Sequence, residues 1–533
     1  MRSFVGTGSL VRLALRRDRI MLAVWIGIFV VMAAGSAGAT VGLYGTVEDR
    51  VEAAAAINNT PSLVALYGII YDESSLGALS MIKLGAFGGA LVAVLAIILV
   101  IRHTRSEEEA GRLELVGATV VGRNAPLAAS LIVTVAGVLA LGLFTALGLA
   151  AAGLSVGGSF AFGLAWASIG IAFAAVAAVT AQLTASARAA IGLAVAVLGV
   201  AYVLRAIGDT AGDGTASALR WLSPIGWGQQ VRPYQGDRWW VLLLPLAFFV
   251  VVAATAQVLL GRRDHGAGLL PDRPGPAMAG RGLGGAFGLA WRLQRGTLLG
   301  WAAGFVILGL VFGNIASNID GFLGSASAIE MIQKLGGVKA LTDAFMSTEL
   351  GMVAIGASAY AIQAVMRLRA EETELRAEPV LATGVKRLTW VWSHLTIAVL
   401  GAGALMLAVG LGAGLTYSAE TGSAADFWRV LGAALVRVPA AWVLAGLVVA
   451  AFGLAPRAAV AGWAALVAFL LLGEFGPLFE LNQYAMDLSP YAHVPRLPGG
   501  EFSVVPLLGL AAVAAALVAV GLVGFRRRDV PIS

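Results

Sequence analysis

Arginine and glutamate recur in one spacing at two places along the chain. The first stretch reads Arg105-Ser-Glu107-Glu108-Glu-Ala-Gly-Arg112-Leu-Glu114 and continues to Ala118, Thr119 and Arg123. The second reads Arg369-Ala-Glu371-Glu372-Thr-Glu-Leu-Arg376-Ala-Glu378 and continues to Ala382, Thr383 and Arg387. The eight named identities share one offset, 369 − 105 = 264, across 19 positions, so the two stretches are copies of one element. Acidic and basic residues four apart on a helix pair along one face. Arg105 with Glu109 and Glu108 with Arg112 have that spacing, and Ser106-x-x-Glu109 fits a capping box. The spacing predicts a short charged helix in each copy. Its chemistry is recognition rather than bond making. A helix lying on anionic lipid is the alternative, but three consecutive glutamates are repelled by that surface. Complementary charge on a protein partner fits better, so each copy reads as a docking surface.

Other chemistry is missing from the sequence. It has no cysteine, which removes disulfides, thiol catalysis and cysteine metal sites. It has no Gly-x-x-x-x-Gly-Lys-Ser/Thr loop to cradle a nucleotide phosphate and no His-Glu-x-x-His metal motif. Four scattered histidines, 103, 265, 394 and 493, read as loop or interface residues. No catalytic site, metal site or cofactor of the chain's own is expected. The net charge of +6 follows the loops rather than a nucleic-acid face.

The elements that must hold the charged copies are membrane spans. Hydrophobic residues make up 59% of the 533 and charged residues 12%, far from a soluble domain. Apolar runs such as 20–43, 125–153 and 504–524 exceed the roughly 18 residues that can cross a bilayer. In hydrocarbon every backbone polar group must bond internally, so the spans are helices. Twelve are predicted, near 20–43, 81–101, 126–153, 160–183, 190–207, 239–260, 296–316, 349–366, 394–417, 431–454, 459–474 and 503–524. The first follows a basic start like a signal peptide's, but it is about twice too long for one and reads as a retained helix. Of the 36 Lys and Arg, 25 fall in the termini and alternate connections that this layout puts on one side. The positive-inside rule makes that side the cytoplasm, with both termini there.

The copies belong to a longer repeat. Leu222-Ser223-Pro224 matches Leu488-Ser489-Pro490, and Arg262-Arg263-Asp264 matches Arg527-Arg528-Asp529. The predicted organisation is a six-helix half over 1–263, a Pro/Gly-rich cytoplasmic linker over 264–285 and a second half over 286–533. Six is even, so the halves insert in the same orientation, with a substrate pathway expected between them. The Leu-Ser-Pro elements could start re-entrant turns or short surface helices, and the Trp- and Tyr-rich outward loops read as an interfacial belt. Most span interiors lack ionisable groups, so a coupling ion has no evident midplane site. Lys83, Glu349 and Glu474 lie near outer span ends, and Asp320 in an outward loop. Lys83 and Glu349 are a candidate outer gate, with separate snorkelling to the headgroups as the bland alternative.

At these motifs the sequence resembles the ABC-transporter permeases of the actinobacterial polyketide-antibiotic, tetronasin-type exporter family. The carrying residues are the stretch Arg105 to Leu115, Leu222-Ser-Pro-Ile-Gly-Trp227 and Leu488-Ser-Pro-Tyr-Ala-His-Val-Pro495. The resemblance implies an all-α polytopic membrane protein of ABC-2-like exporter type, with two parallel six-helix repeats in a bacterial cytoplasmic membrane. It implies a separate cytoplasmic ATPase in two copies, which binds the ATP and Mg, and efflux of small hydrophobic substrates such as antibiotics. It gives coupling roles to Arg105, Glu107, Glu108, Arg112 and Glu114, and to Arg369, Glu371, Glu372, Arg376 and Glu378. Leu375 in place of Gly111, and Pro379 in place of Leu115, predict an earlier helix end in the second copy. A proton-coupled multidrug antiporter is the competing transport class, and a membrane scaffold the non-transport one.

Overall fold

A computed structural model describes residues 2–212, 214–270, 278, 280–317, 337–475 and 482–529. The chain divides into two compact units, Met1–Pro274 and Gly275–Ser533, with the division inside the 264–285 stretch. Every regular element among the described residues is helical.

The first unit contains α1 (Thr7–Leu43), α2 (Val47–Asn58), α3 (Pro61–Tyr67), α4 (Leu76–His103), α5 (Arg105–Glu109) and α6 (Arg112–Gly117). It continues with α7 (Ala125–Ala151), α8 (Val156–Leu183), α9 (Ala187–Thr210), α10 (Pro224–Gln230) and α11 (Leu243–Arg262). Local sequence sets several starts. Thr46 caps α2 by accepting the Asp49 N–H at 3.2 Å, and Ser75 caps α4 by accepting that of Ala78 at 3.2 Å. The first Leu-Ser-Pro element does open a short helix, α10, with Ser223 accepting the Gly226 N–H. The core runs through α4 and α8. Trp166 on α8 is 1% exposed and donates its indole N–H to the carbonyls of Leu84 and Gly85. Helices α7 and α8 approach closely at two glycines. A Cβ on Gly142 would lie 2.4 Å from the Gly163 carbonyl, and one on Gly163 2.1 Å from that of Gly142. Small residues permit such backbone contact where lipid offers helices no hydrophobic drive to associate.

The second unit contains α12 (Ala286–Ser317), α13 (Gly337–Thr373), α14 (Ala377–Ala382), α15 (Arg387–Thr421), α16 (Ala424–Leu435) and α17 (Val438–Leu454). It ends with α18 (Ala461–Phe475), α19 (Gln483–Met486) and α20 (Val504–Arg527). The second Leu-Ser-Pro element starts a single tight turn, Pro490–His493. Asp320 and linker residues 271–277 fall outside the described residues, as does the side chain of Glu474.

Eleven helices, among the described residues, are long and apolar enough to cross a bilayer; the predicted span 459–474 is a shorter apolar stretch, Pro456–Leu470. Its shortness follows from Pro456, which opens a separate turn of Pro456–Val460 before α18 begins. Packing nevertheless requires α18 to traverse its unit. Gly446 packs on Ala514, and Gly453, seven residues on, packs on Gly521, seven residues beyond Ala514. Equal steps in the same direction make α17 and α20 parallel. The chain must therefore return to the far end between them, and α18 is the helix that does so. Its Phe469 and Leu470 reach the N-terminal half of α13.

Two of the predicted span interiors do carry a buried ionisable group. Arg205, inside the predicted span 190–207, is fully buried beside Asp209, and Arg437, inside 431–454, is 4% exposed. A long apolar run tolerates one buried arginine, so its mean hydropathy does not reveal either residue.

Candidate coupling loops

The two glutamate-rich stretches take the same local shape in both units. Helix α5 ends at Glu109 and α13 at Thr373, which are equivalent under the offset of 264. A left-handed residue follows in each, Gly111 at φ 71 and Leu375 at φ 57. The amide N–H of each bonds back to a glutamate carbonyl, Gly111 to Glu108 and Leu375 to Glu372. Then comes a six-residue helix, α6 or α14. The expected earlier helix end in the second unit does not occur. Leu375 adopts the turn that glycine takes in the first unit, and Pro379 is accommodated in the first turn of α14, where no helical N–H acceptor is needed.

That turn also overrides the expected Glu108–Arg112 pair. Arg112 is folded back by it and does not stand one helical turn beyond Glu108. It grips Glu107 instead, with Nε–Oε2 at 2.7 Å and a second bond at 2.9 Å. Arg376 grips Glu371 in the same way, at 3.0 and 3.2 Å. Arg112 is itself held above the ordinary arginine range by the Glu107 carboxylate. Glu107 also pairs with Arg17 of α1, and Glu371 with Arg367. Glu109 does not pair with Arg105; it accepts the Ala187 N–H at the start of α9. The Ser106–Glu109 capping box does not form. Helix α5 follows α4 after Thr104 alone and begins without a side-chain cap.

The central glutamates are buried and locked. Glu108 forms a bidentate pair with Arg263, at 2.6 and 2.7 Å, and accepts the Gly266 N–H at 2.7 Å. Glu372 forms the same bidentate pair with Arg528, at 2.5 and 2.6 Å. Arg263 also donates to Gln182 at the end of α8. Arg123 and Arg387 complete the repeat by donating to the backbone carbonyls of Arg263 and Arg528 respectively. Each loop is thus tied to the residue just beyond the last long helix of its unit. The sequence carries a signal for this lock, because the Arg-Arg-Asp repeat sets Arg263 and Arg528 at one offset. Spacing alone shows that motif as the end of each half and does not show what it grips.

Arg105 is buried and donates to the carbonyls of Ala181 and Ala267. Its counterpart Arg369 is half-buried and makes no side-chain bond among the described residues, so the two units differ there. Exposed surface lies further along the first loop. Glu114 is exposed, as are two apolar side chains, Leu115 at 75% and Val120 at 87%. In the second loop Leu375, Arg376 and Pro379 are exposed, and Glu378 is half-buried. Lys83 is exposed on α4, and Glu349 half-buried on α13, each within its own unit. No group of three metal-binding side chains gathers among the described residues.

The profile of the family described as multidrug efflux system permease Rv1217c, C-terminal domain, matches residues 8–260 and 283–526. A multidrug efflux system permease protein, Rv1217c of Mycobacterium tuberculosis (strain ATCC 25618 / H37Rv), is 46% identical over 530 residues. The match covers 99% of this chain and 96% of that protein. The relationship is therefore to multidrug efflux permeases, and the narrower tetronasin-type resemblance is not what these matches carry.

Proposed function

The chain belongs to the multidrug efflux system permease family, and from that premise we propose that it is the membrane subunit of an ATP-driven exporter of hydrophobic or amphipathic compounds. A separate cytoplasmic ATPase, in two copies, supplies ATP, Mg and hydrolysis. The loops after α4 and α13 face that ATPase from the cytoplasm, where both termini also lie. The observation that carries the proposal is the repeated lock, Glu108–Arg263 and Glu372–Arg528. A loop that transmitted no force would not need a buried bidentate ion pair at its base in both units. The locked base lets the exposed tip of each loop push on the helices instead of folding away.

Burial reassigns the coupling roles among the glutamates. Glu107, Glu108, Glu371 and Glu372 position the loops, while Glu114, Leu115 and Val120, with Arg376 and Pro379 in the second unit, meet the partner. A proton-coupled antiporter would need titrating carboxylates along the spans, whereas these four are held by arginines at the loop bases.

Co-expression with the partner ATPase tests the reading. The chain alone is expected to hydrolyse no ATP, and the complex to do so. Leu115→Asp with Val120→Asp is expected to abolish co-purification while leaving the melting temperature unchanged. Drug efflux by the chain without any ATPase, abolished by a protonophore, would sink the proposal in favour of the antiporter.

A further inference from the structure

We propose that a cleft in the second unit binds the anionic head of an amphipathic molecule, with Arg437 as the buried cation that receives it. The proposal rests on the efflux reading in one respect, that the bound molecule is a substrate. The cleft has a volume of about 760 Å³, within the range of roughly 300–1,000 Å³ for small-molecule sites. It lies between the N-terminal half of α13, Arg437 at the break between α16 and α17, the end of α18 and the stretch 491–500. Ser347 on its wall is separated from Glu371 by roughly 36 Å of continuous helix at 1.5 Å per residue. The cleft therefore stands at the opposite end of α13 from the coupling loop.

The charge balance of the wall selects the ligand. Arg437 is 4% exposed. Its hydrogen bonds go to neutral oxygens: the carbonyls of Ala433, Ser347 and Leu497, and the Ser347 hydroxyl. No carboxylate lies within ion-pair distance among the described residues. Its Nε–H makes no hydrogen bond among them either. Dipoles solvate this cation, and no carboxylate among the described residues neutralises it. The acid on the wall, Asp343, is already taken by Arg429, which contacts both its oxygens at 2.7 and 2.8 Å and also pairs with Asp426. Arg496 adds an exposed cation at the rim. Met352, Ile355 and Phe469 make the remaining wall apolar. A buried, uncompensated cation beside an apolar wall fits a carboxylate, sulfonate or phosphate carried on a hydrophobic body.

Sequence position supports a ligand role over a packing role. The corresponding helix of the first unit, α8, runs unbroken and carries no arginine. A cation confined to one unit is not required by the shared fold.

The test uses the full chain in phosphatidylcholine nanodiscs, with dansyl-labelled undecanoic acid and its neutral methyl ester as probes, read by fluorescence anisotropy against empty discs. The acid is expected to bind roughly ten- to a hundredfold more tightly than the ester. Arg437→Met should erase that preference, and Arg437→Lys should keep most of it. Met352→Trp should weaken both probes by filling the cleft. Should Arg437→Met fail to fold, Arg496→Gln decides, with an expected loss of about two- to fivefold in preference. Equal binding of acid and ester by the unmodified chain, or an unaltered preference in the deciding variant, overturns the proposal. Competition by added phosphatidylglycerol would support the anion site with a lipid headgroup in it, and its absence would support a free amphipathic acid. No ATPase is present in this experiment, so a failure here leaves the exporter reading intact. Loss of the exporter reading would equally leave this site standing.

Discussion

The pair Glu108–Arg263 shows how a buried charge gains or loses its value with its partner. The two side chains are 4% and 6% exposed. Glu108 also lies 3.3 Å from the buried Arg105, so removing Glu108 leaves Arg263 desolvated without a carboxylate, a loss of about 3–5 kcal/mol, and removing Arg263 leaves Glu108 with its weaker pair alone; replacing both by neutral groups of similar size is milder. Glu108→Gln and Arg263→Met are each expected to lower the melting temperature strongly, and the double variant to recover most of the loss. Additive losses in a thermal melt of the detergent-solubilised protein would contradict the lock. By the same logic, charge reversal at Glu107 and Glu108 is expected to destabilise the loop itself, whereas reversal at the exposed Glu114 leaves stability untouched and acts on partner binding. The turn residues offer an independent check. Gly111 has open space around its Cβ position but a positive φ, so Gly111→Ala is expected to lose about 1 kcal/mol from backbone strain alone. Leu375 already carries that strain, and Leu375→Gly is expected to be neutral or stabilising in the same melt.

At the scale of the element, close helix contact can be separated from helix propensity. Gly142→Ala drives a methyl group into the Gly163 carbonyl and is expected to lose about 1–3 kcal/mol. Gly199, on α9, has nothing within 4 Å of the place a methyl group would take. Gly199→Ala is therefore expected to be neutral or to gain up to about 1 kcal/mol. Equal effects of the two changes would remove the close-contact account of α7 and α8. These contacts were not legible in the sequence, because glycines are frequent throughout and spacing does not say which one meets a neighbour. The helices themselves were legible, since a long apolar run admits few other structures in hydrocarbon. The loop motif was legible as a repeat but not in its pairings. The i,i+4 rule holds only while a helix continues, and Gly111 ends it between Glu108 and Arg112; Arg105 and Glu109 both lie on α5, but each is taken by other backbone partners. Arg437 escaped for a different reason. One arginine hardly alters the hydropathy of a span, and its burial becomes apparent only when α13 and the 491–500 stretch close around it.

For the whole molecule, the deciding quantity is the parity of the crossings. Eleven long apolar helices would place the two termini on opposite sides of the bilayer, and twelve crossings place them on the same side. The sequence layout gives twelve, but α18 has only 15 residues and spans about 22 Å at 1.5 Å per residue, short of a hydrocarbon core of about 30 Å. The packing of the second unit supplies the missing step. Helices α17 and α20 run in the same direction, and Arg528, beyond the end of α20, lies over the ring of Phe452 near the end of α17. Arg528 also reaches Glu372, beside the loop after α13. The ends of α13, α17 and α20 are therefore together, and α18 must carry the chain away from them before α20 can return. In the first unit Glu108 joins the corresponding loop to Arg263, beyond the end of α11. Each unit thus brings its last helix back to its own glutamate-rich loop. Arg12, Arg16, Arg17 and Arg19 at one terminus and Arg526, Arg527 and Arg528 at the other are then expected on the same, cytoplasmic side. Reporter fusions measure this directly. Green fluorescent protein fused after Ser533 is expected to fluoresce, and alkaline phosphatase there to be inactive. Alkaline phosphatase inserted near Tyr484 is expected to be active, because α18 has by then crossed. An active phosphatase at Ser533 together with an inactive one near Tyr484 would show that α18 fails to cross, and the cytoplasmic placement of the second half's closing arginines would fall with it.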